Sequence, residues 1–445
     1  MKTTLAAESV EKVASQLRPA LTATVKQYPG DKTARQPVHT VYGGAHLFKA
    51  ETAQKLGSIA RKSLETYVSD QHDFAGIFCI SPNLAGTVLD RVKKKLTREA
   101  VEDLRVDFED GYGVRSNVEE DGHAGAAALE TAKAMREARL PPFFGIRIKS
   151  FSEETLERAI RTLDIYLSTL CGETGGKLPD NFVVTLPKVV LLDQVTLLVD
   201  ILDELEPKLG IQKGTVKIEI MVETVQSIIS PDGGTALPGL VNAARGRCVA
   251  AHFGAYDYTA ECGITAPFQN LRHPACDFAR HMMQVSLGKT GIRLSDGATT
   301  VMPIPPHRGD GLTSEQSAEN RRVVHAAWKL HYDNCRHALE TGYYQGWDLH
   351  PAQIPARYAA VYTFFLEGLD QTSERLQNFI QKAAQATLVG NNFDDAATGQ
   401  GLLNFFTRAI NCGAVTEAEV LDRTGLSLDH LRSGSFSAII RKTAR

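Results

Sequence analysis

Val216-Lys217-Ile218-Glu219-Ile220-Met221-Val222-Glu223-Thr224 is a short strand-like run that ends on a carboxylate. The next such run, Arg247-Cys248-Val249-Ala250-Ala251-His252-Phe253, leads through Gly254-Ala255-Tyr256 to a second one, Asp257. Where strands alternate with helices they lie parallel in one sheet or barrel, and residues just past neighbouring strand ends gather on one rim, the place such folds use for chemistry. Glu223 and Asp257 are therefore expected to meet there. Two carboxylates with room for water and substrate oxygens are the usual protein contribution to a hard cation such as Mg²⁺.

Working outward, strand-like runs recur at residues 38–42, 104–108, 143–148 and 182–186, with two weaker ones at 298–304 and 346–350. With the two already quoted they make eight, and the expected fold is an α/β TIM (β/α)8 barrel. Leu156, Ile160, Leu163, Leu167 and Leu170 follow the spacing of one helix face, with Glu153 and Glu154 in its first turn. Residues 74–80 read as an extra strand inserted after the first barrel strand. Thr416-Glu417-Ala418-Glu419 has capping-box spacing and starts a helix. The organisation that follows is an N-terminal helical extension over residues 1–36, a barrel over 37–366 and a helical C-terminal extension over 367–445, whose basic end is read as a solvated tail.

Composition narrows the partners. The chain has 445 residues, 43% hydrophobic and 23% charged, with a net charge of −3. That is an ordinary globular balance and leaves no electrostatic footprint for nucleic acid. Glu8 and Glu11 interrupt the apolar run a signal peptide needs, and Asp193, Asp200, Asp203 and Glu204 break the most apolar stretch, so a cytoplasmic protein without a membrane span is expected. Seven cysteines without a Cys-x-x-Cys pair fit buried thiols in a reducing compartment.

A series of short motifs, in order, resembles the Mg²⁺-dependent aldolase and citrate lyase β-subunit-like superfamily, which includes malyl-CoA and citramalyl-CoA lyases and 4-hydroxy-2-oxo-acid aldolases. Asp107-Phe108-Glu109-Asp110-Gly111 is similar to its acidic turn after strand two, Gly145-Ile146-Arg147-Ile148-Lys149 to its strand-three arginine motif and Leu186-Pro187-Lys188-Val189 to its strand-four Pro-Lys. Met221-Val222-Glu223-Thr224 and Phe253-Gly254-Ala255-Tyr256-Asp257-Tyr258 resemble its two metal-binding motifs, and Gly346-Trp347-Asp348-Leu349-His350-Pro351-Ala352-Gln353 its closing segment. The resemblance covers residues 38–360. It implies Mg²⁺ (or Mn²⁺) on Glu223 and Asp257, substrate against Arg147, Gly254 and Ala255, a carboxylic acid or CoA thioester as substrate, and a homo-oligomer. The chain departs from the pattern in a longer connection between the first two strands, in a 34-residue spacing from Glu223 to Asp257, in its long helical C-terminus, and in lacking a clear match for the catalytic histidine of the oxo-acid aldolases.

The chemistry expected of such a site is carbon–carbon bond cleavage or formation through an enolate of a 2-oxo acid or acyl-CoA, stabilised by the metal and by the fixed donors of Arg147. Alternation puts Asp107 and Glu109 on one face, as second-shell groups or a proton-carrying base, and Asp110 on the other. Lys188 is expected to pair with a carboxylate rather than form a Schiff base. His46 and His252 stand near strand ends as candidate proton carriers, each more readily read as a satisfied core or surface group, and His350 is read as structural. His325, His331 and His337 scatter around a helix and do not converge on zinc. Gly288-Lys289-Thr290 lacks the first glycine of a phosphate-binding loop, since residue 283 is Met. Two other readings remain at this level: phosphoenolpyruvate-type phosphotransfer or carboxylate hydrolysis, and a catalytically silent metabolite-binding barrel.

Overall fold

The structure is a computed structural model and describes residues 3–30, 34–385 and 396–432; the basic end at 441–445 lies outside them. After helix α1 (Ala7–Gln27) and strand β1 (His39–Gly44) come three helices, α2 (Thr52–Tyr67), α3 (Gln71–Phe78) and α4 (Pro82–Glu99). Strand and helix then alternate: β2 (Asp103–Asp107), α5 (Asn117–Arg136), β3 (Phe143–Arg147), α6 (Leu156–Thr174), β4 (Phe182–Leu186), α7 (Leu192–Lys208), β5 (Lys217–Val222), α8 (Leu237–Ala243) and β6 (Cys248–Phe253). The chain continues through α9 (Ala255–Glu261), α10 (Pro274–Leu287), β7 (Arg293–Ser295), α11 (Ser314–Glu340), β8 (Gly346–Asp348), α12 (Ile354–Gln385), α13 (Ala396–Asn411), α14 (Glu417–Thr424) and α15 (Leu428–Arg432).

All eight strands are parallel, in the order β7-β6-β5-β4-β3-β2-β1-β8. A parallel bridge from Ala298 to Trp347 and the bond from Asp296 N to the Gln345 carbonyl at 2.8 Å close the ring between β7 and β8. The result is a TIM barrel. Residues alternating along β2 show its layering: Leu104 and Val106 join the hydrophobic core, whereas Arg105 binds Glu219 of β5 across the barrel interior at 2.8 Å and also pairs with Asp103. A full charge network inside a barrel is tolerable only because each group is paired and hydrogen-bonded. Asp348 at the end of β8 likewise binds His39 at 2.8 Å, His331 at 2.9 Å and Arg357 at 2.8 Å.

Two expected strands are corrected. Residues 74–78 belong to α3 and Cys79 is its left-handed C-cap; Asp70 caps the helix start by accepting from the backbone of His72 and Asp73, and Phe74, Ile77 and Phe78 are buried at three-then-one spacing. A short, wholly buried apolar run does not distinguish strand from helix by its period. The seventh strand is Arg293–Ser295 rather than 298–304; the latter segment keeps only the Ala298 bridge. Pro303 lacks a donor, as do Pro305 and Pro306 just beyond the segment, and a central ladder needs that donor. The helix expected from residue 153 begins at Leu156, and the capping box at Thr416 forms with Glu419.

The expected boundary at residue 366 falls inside α12 (Ile354–Gln385). Phe365, Leu369, Leu402, Phe406 and Val420 belong to the same buried cluster as the barrel helices. Arg91 of α4 fastens this extension by pairing with Glu419 at 2.5 Å. Among the described residues no helix is long and apolar enough to cross a membrane, and all seven cysteines are free thiols.

Candidate active site

The C-terminal ends of β2 to β6 bring the sequence-predicted residues to one rim. At the end of β2, Asp107 is completely buried and accepts four hydrogen bonds. Arg147 Nε donates to one oxygen at 2.8 Å and an Arg147 terminal nitrogen to the other at 2.6 Å, while the backbones of Glu109 and Gly111 supply the remaining two at 3.0 and 2.8 Å. Both of its oxygens are thus engaged within the protein. Asp107 is the group that positions Arg147. The arginine is held further by the rings of Tyr42, 4.7 Å from its guanidinium carbon, and Trp347, at 5.9 Å. Burial alone would lower its pKa, but the Asp107 charge raises it well above the ordinary value, so Arg147 is a permanent cation.

Its remaining terminal nitrogen faces Glu109 at 3.2 Å and Asp110 at 3.7 Å. The expected separation of these two acids onto opposite faces does not occur. β2 ends at Asp107 and the chain turns tightly, Tyr112 N and Gly113 N both donating to the Glu109 carbonyl, so Asp110 curls back toward the same cluster. Burial raises the Glu109 pKa, helped by the Asp110 charge and opposed by Arg147, while Asp110 itself is lowered. Like charges side by side split in this way.

Lys188 joins the two halves of the rim. It sits just past β4 with φ of +51°, its ammonium pairs with Glu109 and lies 3.2 Å from Asp110, and its backbone N–H donates to Glu223 at 2.7 Å. The sequence expected the ion pair but not this backbone contact, which needs the left-handed turn and has no signature in residue type. Burial works against its charge, yet the carboxylates beside it raise the pKa above that of a free lysine. An amine held as an ammonium is a poor nucleophile for a Schiff base.

Glu223, immediately after β5, is 2% exposed. Burial, then the charge of Asp257, pushes its carboxyl up to about 8, and Asp257, half-buried in the first turn of α9, is raised by burial and by Asp110. Gly254 packs against Glu223 so closely that a Cβ there would lie 2.4 Å from Oε2. Two acids that each disfavour ionisation, with a cradle cut to one of them, fit a hard dication that would neutralise both. Among the described residues no group of three or more His, Cys, Asp or Glu could hold a metal ion.

The other expected residues divide. Ala255 is buried, so its methyl belongs to the core, while Gly254 lies at the rim. His252 is buried below the rim, accepting from Trp347 Nε1 at 3.2 Å and lying 3.4 Å from Glu219. His46 stands apart beside Tyr112 and His123, with ring centroids 5.6 and 6.2 Å away. His350 caps the turn at Pro351–Gln353, and Gln353 ties that turn to the Thr299 carbonyl at 2.8 Å, so the closing motif is architectural. His325, His331 and His337 bond to the Tyr67 carbonyl, Asp348 and Asp277 respectively.

The model of DUF6986, a domain of unknown function, matches residues 17–439. No curated protein matches the chain. Among solved structures, a citrate lyase from Burkholderia xenovorans LB400 is 19% identical over 88% of this chain and 96% of its own, with a TM-score of 0.55. Malate synthase of Haloferax volcanii is 13% identical over 91% and 99%, with a TM-score of 0.46. The CitE protein of Mycobacterium tuberculosis, solved with magnesium and acetoacetate, is 17% identical over 74% and 91%, with a TM-score of 0.39. The chain thus has the fold of the citrate lyase-like barrels that its motifs resemble.

Proposed function

The chain belongs to the DUF6986 family, and from its rim chemistry we propose that it is a Mg²⁺-dependent carbon–carbon lyase or aldolase acting on a 2-oxo acid or acyl-CoA. The observation that supports this most is the meeting of two protonation-prone carboxylates, Glu223 and Asp257, with the locked cation Arg147 on one rim. Bound by the two carboxylates, Mg²⁺ would supply a positive charge where an enolate oxygen develops. Arg147, held by Asp107, would turn its remaining terminal nitrogen, which faces Glu109 and Asp110, to a substrate carboxylate or to the same oxygen.

Glu109 is the group proposed to move the proton. In the cleavage direction it takes the hydroxyl proton, the electron pair of the breaking bond passes to the carbon next to the carbonyl, and that carbon is reprotonated on release; condensation runs the same steps backward. Lys188 keeps Glu109 oriented and neutralises it between turnovers. The test is a screen of 4-hydroxy-2-oxo acids and 3-hydroxyacyl-CoA thioesters with and without Mg²⁺. Metal-dependent release of pyruvate, oxaloacetate, acetyl-CoA or a homologue is expected, and its absence across both classes contradicts the reading.

A homo-oligomer is part of the proposal. Helix α1 buries none of its residues, and Val10, Val13, Leu17, Leu21 and Val25 are exposed along one side. An antiparallel two-fold pairing centred on Leu17 would bury this apolar stripe.

A further inference from the structure

Away from the rim, a cavity of about 280 Å³ lies between the N-terminal ends of β7, β8 and β1 and the helices α12 and α13. Its size is near the lower end of ligand pockets, roughly 300 Å³. The N-terminal face of a TIM barrel ordinarily serves stability, and a void between a barrel and a helical extension needs no function. The lining argues otherwise. Among the described residues it contains Arg35, Lys289, Arg293 and Arg408 and no acidic residue. The lining also holds apolar and aromatic side chains, Leu287, Ile292, Val361, Phe365 and Tyr344.

The cations are built in. Arg408 stacks on Tyr344 with its guanidinium carbon 3.9 Å from the ring centroid and reaches the Gln36 side chain at 3.5 Å. Gln36 is itself pinned by the Leu294 carbonyl and the Gln345 side chain, both at 3.1 Å. Arg35 is fixed by Glu99 and Glu102 at 2.6 and 2.8 Å. Arg293 turns its guanidinium toward the barrel interior, 4.0 Å from Glu219 and 5.4 Å from the centroid of the Phe143 ring. At the mouth, Gly288 and Lys289, the triplet set aside as an incomplete nucleotide loop, and Gly291 turn sharply, with φ of +62° at Lys289 and +78° at Gly291.

We propose that this cavity binds a small organic anion, a carboxylate or a phosphate monoester with a flat apolar body, whose charged head meets Lys289 and Arg408 and whose body lies against Tyr344 and Phe365. The site is separate from the carboxylate rim and does not depend on the reaction proposed there. Benzoate, phenyl phosphate and inorganic phosphate, titrated calorimetrically in EDTA into the full chain and into Lys289→Gln, Arg408→Gln and Arg147→Gln, test it. Saturable binding of benzoate or phenyl phosphate, weakened about tenfold in Lys289→Gln and kept in Arg147→Gln, is expected; which of the two binds tells carboxylate from phosphate ester, and weaker binding of inorganic phosphate assigns the difference to the apolar wall. Lys289 is exposed, so its variant folds even if Arg408→Gln does not. No binding of any probe, binding untouched by Lys289→Gln, or binding lost in Arg147→Gln overturns the proposal.

Discussion

Gly254 stands against Glu223: a Cβ at Gly254 would fall 2.4 Å from Glu223 Oε2 and 2.5 Å from its Cβ, so the strand-six glycine exists to let the strand-five carboxylate occupy the rim. Gly254→Ala is therefore expected to push Glu223 aside and weaken Mg²⁺ affinity at least tenfold while leaving the barrel folded. Calorimetry and circular dichroism read the two parts, and unchanged affinity would mean that Glu223 is not a ligand.

The metal-free protein should carry a pH signature. The folded Glu223 carboxyl is raised to about 8 against an ordinary value of 4.5, so the fold prefers the neutral acid. The contribution is whole below about 4.5 and is lost as pH rises through 8, on the order of 3–5 kcal/mol over that window. Urea unfolding of the metal-free protein between pH 6 and 9 should show wild type losing stability relative to Glu223→Gln. Parallel curves would contradict it. Mg²⁺ binding at pH 7 should likewise release about one proton, seen as a buffer-dependent binding enthalpy.

Asp107 and Arg147 should fail differently. Arg147→Lys keeps the charge but loses the two-pronged grip, and a drop of about 100-fold in kcat/KM is expected. Asp107→Asn leaves Arg147 in place as a cation without its anchor, so its effect should fall mainly on kcat, with Mg²⁺ binding unchanged. A loss of metal affinity in Asp107→Asn would make Asp107 a metal-site residue after all.

For the proton carrier, Glu109→Gln should lower kcat by about 10²–10³-fold and remove one limb of the pH–rate profile, since the proton-transfer group itself is gone. Retention of both limbs would move the role to another group.

Deleting residues 1–28 should convert an oligomer to a smaller species in light scattering without loss of the barrel, because α1 contributes nothing to the buried core. A chain that is monomeric at micromolar concentration with α1 intact contradicts the pairing.

The barrel was legible because six of its strands carry long β-rich runs flanked by helical periodicity, and β4 at Phe182–Leu186 has the expected bounds to the residue. β7 was not, because three residues beginning with a charged arginine leave no pattern, while the nearby Thr299-Thr300-Val301 mimics one. Within the site, residue types marked Glu223, Asp257 and Arg147, but the partition of the acidic turn was misread. Strand alternation holds only while the strand lasts, and β2 stops at Asp107. Tyr42 and Trp347, which pack on each other beside Arg147, were hidden because their meeting depends on the closure of β8 onto β1.

The central claim is that Glu223 and Asp257 hold a dication that presents substrate oxygens to Arg147. Calorimetric titration of Mg²⁺ with oxalate, a mimic of the pyruvate enolate, into wild type, Glu223→Ala and Asp257→Ala tests it most directly. Metal-dependent oxalate binding in wild type, lost in both variants, is the predicted result; binding that survives in the variants, or none in wild type, would contradict it.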